Sequence, residues 1–195
     1  NFGNAFAGKY ESVFCPNQGP RHVRLDDFLT AVRTIYASSM SEEALTYRAE
    51  RGVLDKDEQM ALLVQRVSGV QHGSLYFPHC AGVGFSFNPY VWHPDIDPDA
   101  GLLRLVFGMG TRAVDRADDD YTRLVALNAP LRQPGGTAPG KRMRTQRRVD
   151  VLDLEANHLT PIAFHEIVNR HPPDIPLALF VSEDRAWARE QRDAG

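Results

Sequence analysis

The stretch LLRLVFGMGT, residues 102–111, runs from an apolar segment directly into two closely spaced glycines. A short run of leucine, valine and phenylalanine predicts a buried strand over residues 102–107. Glycines at 108 and 110 end that strand in a turn, because glycine adopts backbone conformations that other residues avoid. The third glycine of the dinucleotide-binding fingerprint is missing, so the turn does not by itself indicate that class of cofactor site.

Further strands are predicted on both sides of this stretch. Alternating or apolar runs bounded by Gly, Pro or Asn favour strands at residues 80–87, 121–127 and 149–154. The segment Met60–Val67 is mostly apolar and ends in polar residues, which predicts a largely buried strand.

Helical periodicity appears in three other places. Apolar residues from Leu25 to Tyr36 recur at i, i+3 and i+4, and Ser41 precedes two glutamates as a helix N-cap would. The second helix is expected to end near Glu50, and Thr160-Pro161 predicts a third that runs to about Asn169. Helices and strands are mixed without strict alternation, so the predicted fold class is α+β.

The composition of the chain restricts the class of protein to which it can belong. The chain has 195 residues, 43% of them hydrophobic and 24% charged, which fits one domain or one and a half and excludes a mainly disordered chain. Lys and Arg number 22 against 25 Asp and Glu, which gives a formal charge of −3. The chain therefore has no overall excess of positive charge that would favour binding to nucleic acid or to an anionic membrane. Two cysteines and no apolar leader or membrane span predict a cytoplasmic protein. The first residue is Asn rather than Met, which favours a fragment.

The residues offer weaker signals for two other kinds of site, a nucleic-acid site and a metal site. The basic run from Lys141 to Arg148 could bind nucleic acid, but no aromatic residues interleave it, and a solvated loop is favoured. The histidines and cysteines lack metal-ligand spacing. The acidic clusters at 95–99 and 118–120 lack the glycine and closing glutamate of a calcium loop, so solvated loops are again favoured.

Five segments of the sequence carry a resemblance to a known family, in that family's order and approximate spacing. They are FAGKYESVF (6–14), YR (47–48), MALLVQRV (60–67), AGVGFSFNP (81–89), and GMGTRAV with DY (108–114 and 120–121). They resemble the FAGQ-x-ET-x-L, A-x-x-YR, MAVVVQ-x-M, SGV-x-FT-x-NP and GLGE-x-VV segments of the nucleotide-binding domain shared by phosphoenolpyruvate synthases, pyruvate phosphate dikinases and rifampicin phosphotransferases.

This resemblance spans roughly residues 5–125 and implies an incomplete, divergent ATP-grasp-like domain of α+β class, in which two lobes hold ATP. Residues 1–130 would be part of that domain, and residues 131–195 its C-terminal extension or a linker region. By the same resemblance, Gly8 and Ser12 would contact the phosphates of ATP, and Gln65, Arg66 and Val67 would meet adenine.

The resemblance also implies magnesium, with one departure from the family's pattern. Thr111 stands where the family has a glutamate that helps to hold the ion, and a neutral hydroxyl is a weaker magnesium ligand than a carboxylate. Asp115 lies four residues further on and would substitute if the turn becomes helical.

Relatives of this kind pass a phosphoryl group from ATP through a histidine on a mobile domain to pyruvate. The implied function is therefore the ATP-binding part of a phosphoenolpyruvate synthase-like phosphotransferase, with pyruvate or another acceptor bound by domains absent from this chain. The family's lysine and arginine precede the FAG segment, so we expect the chain alone to be inactive. The alternative is a degenerate nucleotide-binding or regulatory module without catalysis.

Overall fold

The computed structural model describes residues 9–57, 59–114, 120–134, 145–170 and 175–180. The chain divides into two compact units. The first unit comprises Asn1–Ser68 and Leu152–Thr160, and the second comprises Gly69–Val151 and Pro161–Gly195.

Two helices dominate the described part of the first unit, α1 (Arg21–Ser38) and α2 (Glu42–Glu50). The Ser41 side chain accepts a hydrogen bond from the backbone N–H of Ala44 at 3.2 Å, which satisfies one of the free donors at the start of α2. Gly52 follows the helix with a φ of 62°, a conformation that favours glycine. The helices predicted over residues 25–36 and 41–50 are confirmed.

Arg48 explains the YR segment at the end of α2. Its side chain is buried, and its Nη2 donates to the carbonyl of Lys56 at 2.6 Å and to those of Val53 and Leu54 at 3.4 and 3.3 Å. A planar guanidinium carries enough donors to hold several carbonyls at once. The loop after α2 is therefore fixed to the helix by one side chain.

The predicted strand over Met60–Val67 is wrong. The structure gives this segment no helix or strand, and Leu63 and Val64 are 80% and 67% exposed. A run of apolar residues forms a buried strand only where a neighbouring strand accepts its backbone groups. In the described part of the chain, this segment belongs to neither sheet.

A three-stranded antiparallel sheet contains β3 (Ala81–Phe85), β4 (Leu102–Val106) and β5 (Arg123–Ala126) of the second unit, with β4 in the centre. Gly82 pairs with Leu105, and Leu103 pairs with Val125. The strands predicted over 80–87, 102–107 and 121–127 are confirmed with slightly shorter bounds. The short helix α3 (Thr111–Val114) follows β4 after the glycine turn.

The other sheet has the order β1-β2-β6-β7 in the described residues. Its strands are β1 (Val70–His72), β2 (Leu75–Phe77), β6 (Arg148–Asp153) and β7 (His158–Ala163). The hairpin between β1 and β2 turns at Gly73, whose φ is 62°. The strand predicted over residues 149–154 is confirmed as β6.

The helix predicted from Thr160 begins later than expected. Residues up to Ala163 belong to β7, and the helix α4 spans Phe164–Arg170. Pro161 therefore lies inside a strand rather than at the start of a helix. Proline lacks an N–H and is tolerated on a strand at the edge of a sheet, and β7 is the last strand in the described order.

In the second unit, residues of α4 form a hydrophobic core with residues of β2, β6 and β7. Phe77, Val149, Val151 and Ile167 are fully buried in it, and Phe107 joins them from the end of β4. Short 3-10 helices at Pro98–Ala100 and Leu177–Leu179 complete the described elements. The chain thus has the α+β mixture that the sequence predicted. In the described ranges we find no helix with both the length and the apolar character to span a membrane.

Candidate functional site

The glycine turn after β4 is built against β6. Gly108 has a φ of 95°, and a Cβ added to it would lie 2.4 Å from Val149 Cγ1 and 2.9 Å from the Asp150 carbonyl oxygen. Only glycine fits both the conformation and the space. The N–H of Gly108 donates to the carbonyl of Pro78 at 3.2 Å, which fixes the turn from its other side.

Hydrogen bonds tie this turn to residues 146–150. Gln146 accepts from the N–H of Phe107 at 2.8 Å and donates to its carbonyl at 2.7 Å, as a neighbouring strand would. The N–H of Met109 donates to the carbonyl of Asp150 at 2.8 Å. The turn is therefore joined to β6, although β4 and β6 belong to different sheets.

Four polar side chains meet directly after the turn, at Thr111, Arg112, Asp120 and Asp150. The Thr111 hydroxyl donates to Asp150 Oδ2 at 2.6 Å, and Arg112 Nε donates to Asp150 Oδ1 at 2.8 Å. Arg112 Nη1 reaches Asp120 Oδ2 at 3.2 Å. The side chains of Arg112, Asp120 and Asp150 are only 14%, 5% and 13% exposed, so the pairs are shielded from water. We call these four residues the Arg112 cluster.

Asp120 is saturated with donors. Its Oδ1 accepts from the backbone N–H groups of Tyr121 at 2.9 Å and Arg147 at 2.7 Å, and its Oδ2 accepts from the N–H of Arg148 at 3.1 Å as well as from Arg112. A carboxylate offers about four lone-pair positions, and four donors fill them here. Asp120 is therefore a structural acceptor that holds the start of β6.

The Arg112 cluster does not fit a magnesium ion at Thr111. Magnesium requires nearly octahedral oxygen ligation, with carboxylates supplying the charge. Both carboxylates of the cluster are shared with a guanidinium, and Asp120 has no position left. In the parts of the chain that the structure describes, no three His, Cys, Asp or Glu side chains group in a way that suits a metal. Asp115 lies outside the described residues.

The residues predicted to contact ATP lie in the first unit. Gly8 is outside the described residues, whereas Ser12 is exposed on a segment without helix or strand. Gln65 and Arg66 are also exposed, and Val67 is half-buried. Their roles stay predictions, while Thr111 belongs to the second unit.

Lys9, which follows Gly8, lines a cleft of about 460 Å³ in the first unit with Tyr47 and the carboxylates of Glu42, Glu43 and Glu50. Its Nζ donates to Glu43 Oε1 at 2.8 Å and lies 5.5 Å from the centre of the Tyr47 ring. The hydrogen bond to Glu43 is the main reason that the pKa of Lys9 is raised above its usual value. The three glutamates give this cleft a negative lining that opposes phosphate.

Sequence reasoning missed Asp150, Arg112 and Gln146. Asp150 lies between buried Val149 and Val151, and an acidic residue inside an apolar strand is a signal, since half-buried carboxylates need partners. Nothing in the sequence pairs it with Thr111, which is 39 residues away.

Comparison with known proteins agrees with the resemblance carried by the five segments. Residues 1–158 match the family model described as pyruvate phosphate dikinase, AMP/ATP-binding domain. No curated protein and no solved structure gives a significant match to the chain. Since the family model covers most of the sequence, the chain belongs to the pyruvate phosphate dikinase AMP/ATP-binding domain family.

Proposed function

We propose that this chain binds ATP as part of a phosphoenolpyruvate synthase-like phosphotransferase. The observation that carries the proposal is the match of residues 1–158 to an AMP/ATP-binding domain. The five sequence segments between residues 6 and 121, which follow the family's order, support it, because they resemble segments that contact nucleotide in that family.

In this proposal the domain has an ATP-grasp-like fold, with residues 1–130 inside it and residues 131–195 as an extension. Gly8 and Ser12 bind the phosphates through backbone N–H groups and a hydroxyl. Gln65, Arg66 and Val67 bind adenine largely through their backbone groups. Gln65 and Arg66 are exposed on a segment without helix or strand, which leaves their surface accessible to a ligand.

The longer protein would transfer a phosphoryl group from ATP through a histidine to pyruvate or another acceptor. Such transfer depends on cations that neutralise the developing negative charge and on in-line geometry. Magnesium would arrive with the nucleotide phosphates. Asp115 is the proposed protein carboxylate for it, because both carboxylates of the Arg112 cluster already share the Arg112 guanidinium.

Calorimetric titration of the chain with ATP, AMP and GTP tests nucleotide binding directly. We expect ATP to bind and Ser12→Ala to weaken it by roughly 3–10-fold, the usual effect of one lost hydrogen bond to a charged group. Ser39→Ala is the matched control, because its hydroxyl donates only locally to the carbonyl of Tyr36.

No detectable heat with ATP, AMP or GTP would contradict the proposed function. Equal affinity of wild type and Ser12→Ala would leave nucleotide binding in place but remove Ser12 from the phosphate site. Protection of residues 60–69 from hydrogen exchange on ATP addition is the expected sign of adenine binding there, and unchanged exchange would contradict it.

A nucleotide-binding module without catalysis is the second candidate. It is favoured by the commitment of the Thr111 hydroxyl to Asp150 where the family has a magnesium-binding glutamate. The two candidates differ in whether bound ATP is consumed when the full-length protein is given pyruvate. Release of AMP and phosphate supports the phosphotransferase, and binding without release supports the regulatory module.

A further inference from the structure

We propose that Arg112 is a built-in cation of the glycine turn and occupies the place between Asp120 and Asp150 that a divalent metal would need. In this proposal the turn after β4 keeps its structure without metal, and a latent divalent-cation site appears only when the guanidinium is removed. The proposal concerns the empty protein and does not depend on nucleotide binding.

The Arg112 guanidinium lies between the two carboxylates of the Arg112 cluster. Two nitrogens of one guanidinium reach two carboxylates, at 2.8 Å to Asp150 and at 3.2 Å to Asp120. All three side chains are at least 86% buried by the exposures given above, and charges held this far from water need partners. Arginine is always protonated and its planar donors suit carboxylates, so it fills this position at any pH near neutrality.

The charge of Arg112 disfavours a second cation at these carboxylates. Arg112 offsets one of the two carboxylate charges, which leaves a net charge of −1 on the buried groups. A magnesium ion on Asp150 would lie beside the guanidinium that shares the same carboxylate, and the two cations would repel strongly with little water between them. The Thr111 oxygen keeps lone pairs while it donates to Asp150, but they face the same repulsion.

The residue at position 111 is a hydrogen-bond donor to Asp150. A hydroxyl there supplies a proton to Asp150 Oδ2 at 2.6 Å. A carboxylate at 111 would instead place a third negative charge against Asp150 and remove that donor. Threonine at 111 and arginine at 112 therefore act together as donors to one carboxylate of β6.

Thermal unfolding of the nucleotide-free chain, with Mg²⁺ or with NaCl of equal ionic strength, tests the proposal. Wild type should show the same Tm in both salts. Arg112→Ala should lose on the order of 10 °C, and Mg²⁺ should restore a large part of that loss by binding between the two carboxylates. Arg112→Lys should lose less and should respond weakly to Mg²⁺.

Arg132→Ala is the matched control, since Arg132 pairs with Asp95 at 2.6 Å but both side chains are about half exposed. It should change Tm by less than about 2 °C and should not respond to Mg²⁺. The same titrations in an Asp115→Asn background separate a metal held by Asp115 from one held by the cluster.

Stabilisation of wild type by Mg²⁺ that persists in Asp115→Asn would overturn the proposal, because the cluster would already take metal. An Arg112→Ala variant that folds but gains nothing from Mg²⁺ would also overturn it. If Arg112→Ala does not fold, Thr111→Glu decides. We expect it to lower Tm with no recovery in Mg²⁺, and a Thr111→Glu chain stabilised by Mg²⁺ would overturn the idea of a closed cation position.

Discussion

Gly108 and Gly110 lie two residues apart in one turn but have different surroundings. An added Cβ at Gly108 would overlap Val149 and the backbone of Asp150, whereas at Gly110 its nearest neighbour is Ala81 Cβ at 3.5 Å. Gly108→Ala should therefore lower the free energy of unfolding by about 2–4 kcal/mol, from strain and overpacking together.

The matched variant Gly110→Ala should cost less than about 1 kcal/mol, because an ordinary van der Waals contact replaces empty space. Urea unfolding of both variants measures the difference. Equal losses would mean that Gly108 does not approach β6 as closely as the structure has it.

The two cysteines should differ in reactivity. Burial raises the pKa of the Cys15 thiol above its ordinary value of 9.0, and the charge of Asp27 adds to this shift, while Cys80 is exposed. Since the thiolate is the reactive form, iodoacetamide should label Cys80 faster than Cys15 at about pH 8. Peptide mass spectrometry over a pH series gives both rates.

The raised pKa of the Cys15 thiol also makes the stability of the fold depend on pH. The folded state disfavours the Cys15 thiolate, so this group costs stability only as pH rises above 9.0, where the unfolded chain loses the proton first. Cys80→Ser leaves Cys15 as the only thiol of the chain, so that its labelling rate can be measured alone. Labelling of Cys15 in the folded chain at the rate found in urea would contradict the burial.

At the scale of elements, the pairing of β3 with β4 depends on Gly82. A Cβ there would lie 2.2 Å from the carbonyl oxygen of Arg104 and 2.8 Å from Leu105 Cδ2, so the paired strands would have to separate. We expect Gly82→Ala to destabilise the chain by about 1–3 kcal/mol. Amide hydrogen exchange in β3 and β4 should increase with it.

Gly84, two residues along on β3, is the matched control. Its nearest neighbour for an added Cβ is Leu103 Cδ2 at 3.4 Å, the end of a flexible side chain. Gly84→Ala should leave exchange in β4 unchanged. Faster exchange in both variants would show that any side chain on this strand disturbs the sheet.

At the scale of the whole molecule, we expect the buried core of the second unit to contribute strongly to stability. Ile167 of α4 is fully buried in the core formed with Phe77, Val149 and Val151. Ile167→Ala should lower the free energy of unfolding by about 2–5 kcal/mol, because the lost contacts leave a cavity.

Leu131→Ala removes a comparable apolar group from a side chain that is 91% exposed, and should change stability by less than about 0.5 kcal/mol. Chemical denaturation of both variants measures the contrast. A small loss with Ile167→Ala would mean that α4 is not essential to this core.

Sequence by itself determined the features whose causes are local. The helices α1 and α2 follow from periodicity and from the Ser41 cap, and the strands β3 to β6 follow from short apolar runs that end in turn residues. The family is also readable from the sequence, because five short segments keep its order and approximate spacing over long stretches of chain.

Only the tertiary structure decided the features that depend on partners distant in the chain. Met60–Val67 has the composition of a buried strand but belongs to neither sheet in the described residues, and Pro161 lies on an edge strand instead of starting a helix. The hydroxyl of Thr111 is committed to Asp150, 39 residues away, with Arg112 beside it. Local preference cannot encode such pairings, because each side chain takes its role from the charge and space that the folded chain brings to it.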